Sequence, residues 1–121
     1  PVVLIGHSMG AVAGCLLAAD LPQVAGAMFV APASPRVLLT LEGVDPAFAH
    51  RPQRRAAFPS LLVASRNDSY ASYEESTERA STLGATLVDA GDSGHINPDS
   101  GHGPWPEGLM RLAHFLGRIK A

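Results

Sequence analysis

The chain has 121 residues, 46% of them hydrophobic and 17% charged, a length and balance that suit one packed domain and exclude a disordered polypeptide. Nine basic against eleven acidic residues leave a net charge of −2, which offers no electrostatic case for nucleic acid or an anionic membrane surface. The single cysteine, Cys15, excludes an intrachain disulfide and a cysteine-rich metal site, and no apolar run reaches the length of a membrane span. No cofactor or metal is expected. A reducing, cytoplasmic setting is the default, with Cys15 read as a small buried hydrophobe.

Val2 to Ile5 is a continuous apolar run, as expected of a strand covered on both faces in a parallel sheet. Met9 to Ala19 predicts a helix ended by Asp20-Leu21-Pro22. Its small residues Gly10, Ala11, Gly14 and Ala18 would allow close packing on the sheet. Ala25 to Ala31 is a second buried strand, and strand–helix–strand at this spacing makes a parallel βαβ unit. Pro32 to Pro59 holds five prolines and the basic cluster Arg51, Arg54 and Arg55. It reads as an irregular, solvated connection, with a short helix near Val37 to Leu41 and its arginines as surface charges. Ser60 to Ser65 predicts a third strand. Ser72-Tyr73-Glu74-Glu75 is a capping box that starts a helix running to Leu83 and stopping at Gly84. Ala85 to Ala90 predicts a fourth strand and Gly91 to Gly103 a loop. Pro106 opens a terminal helix with Trp105, Leu109, Leu112, Leu116 and Ile119 on one face and Arg111, His114, Arg118 and Lys120 largely on the other. Alternation of strands and helices predicts an α/β domain with a mainly parallel sheet.

Between the first strand and first helix lies Gly6-His7-Ser8-Met9-Gly10. A G-x-S-x-G in that setting reads as a nucleophile elbow, a turn that strains the serine backbone and lifts its hydroxyl above the sheet. Gly6 and Gly10 are expected where a Cβ would clash inside the turn. A serine hydroxyl needs a base, and the base needs an orienting group. In a doubly wound sheet those partners belong in loops after later strands. Asp68 follows the third strand and His95 the fourth, and Ser, Asp, His is the chain order of α/β-hydrolases. Among competing acids, Asp45 lies in the proline-rich excursion, Asp89 inside a strand, and Asp92 in the loop of His95 itself. His50 and His114 read as surface residues. His7, His102 and Trp105 are candidate substrate-binding residues, with the loop around Asp99 shaping the same pocket.

Gly6-His7-Ser8-Met9-Gly10, Ser65-Arg66-Asn67-Asp68-Ser69-Tyr70 and Gly94-His95-Ile96-Asn97, with Gly103-Pro104-Trp105-Pro106-Glu107-Gly108, resemble the small serine hydrolases related to retinoblastoma-binding protein 9. The resemblance spans essentially the whole chain. It implies a compact, lid-poor, three-layer α/β-hydrolase fold, with Ser8, Asp68 and His95 as nucleophile, acid and base. Members of that family carry further strands before the nucleophile strand and draw one oxyanion donor from an upstream loop. The expectation is therefore a single domain, residues 1–121, forming the C-terminal two-thirds of the full domain and lacking its N-terminal strands. The backbone N–H of Met9 would be the oxyanion donor within the chain. Without a neighbour, Val2–Ile5 would form an exposed apolar sheet edge.

Two function classes follow. The first is a hydrolase of esters, thioesters or amides acting on a small acyl substrate by acyl transfer. The second is a binding protein, or an inactive fragment, that keeps a hydrolase fold. Neither involves nucleic acid or membrane. Oligomeric state and substrate identity are not readable from the sequence.

Overall fold

A computed structural model describes residues 2–119. Four strands, β1 (Val2–His7), β2 (Val24–Val30), β3 (Ser60–Ala64) and β4 (Thr86–Asp89), form one sheet in the order β1-β2-β3-β4, and every neighbouring pair is parallel. Each connection must therefore cross over the sheet. Helix α1 (Met9–Leu17) links β1 to β2, and α4 (Tyr73–Leu83) links β3 to β4. The predicted first helix is shortened: its last turn, Ala18–Asp20, tightens to a 3₁₀ helix before Pro22.

Both crossover helices cover one face of the sheet. Ala11 and Cys15 of α1, Ala18 of the 3₁₀ turn that follows it, and Ala80 and Leu83 of α4 pack with Ala27, Phe29, Leu62 and Ala64 of the strands. Gly14 lets α1 approach closely, because a Cβ there would lie 2.7 Å from the Phe29 ring. Cys15 is 1% exposed, and burial pushes its thiol up to about 11 against an opposing pull from Arg79. Gly10 plays no part in this packing, since α1 turns it outward.

The third layer is α5 (Pro106–Arg118) on the opposite face, with Trp105 and Leu112 against Met28, Val30, Val63 and Val88. The predicted apolar face needs correction here. Gly108 and Phe115 are buried, and Trp105, Leu112 and Ile119 are half-buried, so the inward stripe runs 105, 108, 112, 115, 119. Leu109 is 67% and Leu116 43% exposed. The helix is rotated because Gly26 opens a notch in β2 that receives Phe115 and Ile119, while Gly108 lets the Trp105 indole close over the helix. Lys120 lies outside the described residues.

The proline-rich connection is also more ordered than expected. It carries α2 (Pro35–Leu38), earlier than the predicted Val37–Leu41 and capped by Ser34, and an unpredicted α3 (Ala47–His50). Leu38 packs with Val12 and Leu16 of α1, and Leu41, Val44, Phe48 and Ala49 add to that cluster. The segment is thus a packed flap on α1. Its basic residues are exposed, Arg54 pairing with Asp20 and Arg55 lying over Gly84.

Candidate active site

The C-terminal ends of β1, β3 and β4 converge, as parallel strands must, and each delivers one polar side chain. Ser8 follows β1 with φ 55° and ψ −115°, a strained left-handed conformation for a residue with a Cβ. Its amide donates to Val30 O (3.0 Å), which pins the turn to β2. The turn needs Gly6, because a Cβ there would stand 2.8 Å from the Gly10 carbonyl carbon and 2.9 Å from Ala11 N. The same expectation fails for Gly10, where a Cβ would meet nothing within 4 Å. The close approach is made by the backbone of Gly10, so only the other partner must lack a side chain.

Ser8 Oγ lies 2.8 Å from His95 Nε2, and His95 Nδ1 lies 3.0 and 3.1 Å from the two oxygens of Asp68. The carboxylate can only accept, so Nδ1 carries the proton and Nε2 is left as an acceptor for the serine hydroxyl. The imidazole is 9% and the carboxyl 3% exposed, which strengthens these bonds by removing competing water. Asp68 Oδ1 also accepts the Tyr70 amide (2.9 Å). Met9 is the first residue of α1, so its N–H has no acceptor within the helix and points with the positive end of the helix dipole. The competing acids are used elsewhere. Asp45 accepts from Ala47 N, Asp89 binds Arg66 and the Gly91 amide, and Asp92 is exposed.

The loops carrying the acid and the histidine are sewn together by Ser65 and Asn67, residues of a stretch quoted for its resemblance but given no role of their own from sequence. Ser65 Oγ donates to Asn67 Oδ1 and accepts from Ser93 N, both at 2.9 Å. Asn67 Oδ1 accepts the Gly94 amide at 2.7 Å. A serine ending an otherwise apolar buried strand was the available signal, since a buried hydroxyl requires partners. Ile96, immediately after His95, holds φ 51°, and Ala31, after β2, holds φ 48°, so backbone strain gathers around the site.

The three candidate substrate-binding residues separate. His7 is exposed, donates from Nε2 to the His95 carbonyl (2.8 Å), and has its ring 4.9 Å from that of His95. His102 and Trp105 meet edge to face at 6.1 Å and line an open groove of about 860 Å³ between α5 and β4, with Val88, Arg111 and His114. Ser8, Asp68 and His95 do not line that groove. Asp99 is exposed in a 3₁₀ turn, Pro98–Ser100. Among the described residues, no group of three His, Cys, Asp or Glu side chains is arranged to hold a metal ion, and no helix is long and apolar enough to cross a membrane.

The family described as serine hydrolase matches residues 1–114. A search of curated proteins finds no match. A YdeN-like hydrolase from Pectobacterium atrosepticum is 42% identical, with a TM-score of 0.80, over 95% of this chain and 59% of its own. The ydeN gene product of B. subtilis is 20% identical (TM-score 0.74), over 96% of this chain and 66% of its own. The Pyrococcus furiosus esterase Pf2001 is 18% identical (TM-score 0.68), over 98% of this chain and 54% of its own. The last two likenesses are of fold alone. The chain thus spans about three-fifths of the length of the Pectobacterium protein.

Proposed function

Because the chain belongs to the serine hydrolase family and has the α/β-hydrolase fold, we propose that Ser8, His95 and Asp68 act as its catalytic triad, cleaving an ester, thioester or amide by acyl transfer. The observation that carries this reading is the unbroken hydrogen-bonded relay from Ser8 Oγ through His95 to Asp68. His95 Nε2 takes the hydroxyl proton as Ser8 Oγ attacks the acyl carbonyl carbon. The tetrahedral intermediate collapses when His95 returns that proton to the leaving group. Water then repeats the sequence on the acyl-serine, releasing the acid and restoring the serine. Asp68 fixes the imidazole tautomer and stabilises the imidazolium. The Met9 N–H, at the start of α1, is the donor within this chain for the developing oxyanion.

We read the chain as related to the small serine hydrolases similar to retinoblastoma-binding protein 9, on the Arg66-Asn67-Asp68 and His95-Ile96-Asn97 stretches, and as cytoplasmic. Two neighbours of the same fold are named as an esterase and a carboxylesterase, which makes esters the first substrates to assay.

A fluorophosphonate probe on this chain, and in parallel on a form of the length of its relatives, tests the proposal. We expect labelling that disappears in Ser8→Ala and His95→Ala, with hydrolysis falling by at least about four orders of magnitude and the circular dichroism unchanged. Asp68→Asn should lower kcat by about four orders of magnitude, because an amide permits the wrong tautomer. Folded proteins that neither label nor turn over would overturn the catalytic reading and favour a binding role.

A further inference from the structure

The side chain stacked on His95 belongs to Tyr70. Its ring lies 4.1 Å from the imidazole centroid at an interplanar angle of 24°, a near-parallel stack. The same residue reaches the acid through its backbone, donating from N to Asp68 Oδ1 at 2.9 Å. Tyr70 is itself anchored, its carbonyl accepting from Ser34 N at 2.9 Å and its ring packing with the cluster of Val12, Leu16, Ala33 and Leu38. One residue therefore touches both members of the His95–Asp68 pair and is braced against α1 and the flap.

On the triad reading above, we infer that Tyr70 is a positioning residue: its ring holds the His95 imidazole in the plane that serves Ser8 and Asp68 together, and its amide holds the acid. Rotation of the imidazole about its Cβ–Cγ bond would break both the Nδ1 and the Nε2 hydrogen bonds, and the stacked ring occupies the space such a rotation needs. The electron-rich face of the phenol also attracts the positive charge of an imidazolium stacked on it. That charge exists only once His95 has taken the serine proton. The contribution therefore falls on the transition state and should be read in kcat with KM unchanged.

The test is a comparison of Tyr70→Phe with Tyr70→Leu in a form that hydrolyses a short acyl ester. Phenylalanine keeps the stack and the backbone donor, so kcat should stay within about twofold of the parent. Leucine fills the space without an aromatic face, and kcat should fall about three- to thirtyfold at unchanged KM. The far-downfield proton resonance of His95 Nδ1–H, shared with Asp68, should persist in Tyr70→Phe and broaden or vanish in Tyr70→Leu. Melting temperatures identify any general loss of folding. The inference is overturned if Tyr70→Leu keeps both kcat and the resonance, or if Tyr70→Phe falls as far as Tyr70→Leu. A parent that shows the resonance yet turns nothing over would overturn the triad reading instead, and the resonance would still decide whether Tyr70 holds the pair.

Discussion

Single atoms decide whether the turn at Ser8 can exist. A Cβ on Gly6 would press on the backbone of Gly10 and Ala11 at 2.8–2.9 Å, and backbone cannot swing aside as a side chain can. Gly6→Ala should therefore lower stability by about 1–3 kcal/mol and displace Ser8. Gly10→Ala should leave stability unchanged or raise it by up to about 1 kcal/mol, because its Cβ meets open space and alanine favours the helix. Denaturant titration of the two variants separates these outcomes, and equal destabilisation would contradict the geometry. The motif G-x-S-x-G was legible from sequence, but the unequal need for its two glycines was not. That inequality depends on which Cβ vector points into the turn.

Helix α4 shows how much a local signal can carry. Ser72 Oγ accepts from Glu75 N (3.0 Å), and Glu75 Oε1 accepts from Ser72 N (2.9 Å), so the capping box read from four letters forms as expected. Its other end stops at Gly84 in the left-handed conformation, also as expected. Ser72→Ala should cost about 1 kcal/mol, measured as a lowered thermal midpoint. The tertiary fold adds Arg36 of α2, whose Nη2 lies 3.0 Å from Glu75 Oε1. That bond first, with help from Ser72, lowers the Glu75 carboxyl from 4.5 to about 2, against a partial opposing effect of burial. The unfolded chain then binds a proton near pH 4.5 that the folded chain refuses until about pH 2. The stabilisation is complete above pH 4.5 and is lost as the pH falls towards 2. Glu75→Gln should flatten this acid limb of the stability curve, and an unchanged limb would show that other carboxylates set it. The neighbouring flap gave weaker signals. Helices as short as α2 and α3 cannot persist without packing partners, and their partner is the outer side of α1.

At the scale of the sheet, the described strands end at β1 on one side and at β4 on the other. On β1, Val2 is 50% and Ile5 60% exposed. An apolar parallel strand with unpaired edge amides is a template for further pairing. Prepared as these 121 residues alone, the polypeptide should self-associate with rising concentration. Ile5→Lys, which places a charge on that edge without touching the buried core, should weaken the association with little change in melting temperature. Sedimentation velocity over a concentration series measures the difference, and identical profiles would place the contact elsewhere.

The sequence by itself determined the strands and principal helices, the parallel α/β class, and the order in which Ser8, Asp68 and His95 occur. These follow from apolar runs, caps and turn residues that act within a few positions of one another. Only the tertiary structure decided the rotation of α5, which depends on a notch at Gly26, 89 residues before Phe115 in sequence. The same is true of the packing of the flap, the parting of His102 and Trp105 from Ser8, and the stack of Tyr70 on His95. Each of these depends on contacts between elements distant in the chain, and local pattern does not encode which side chains will meet there.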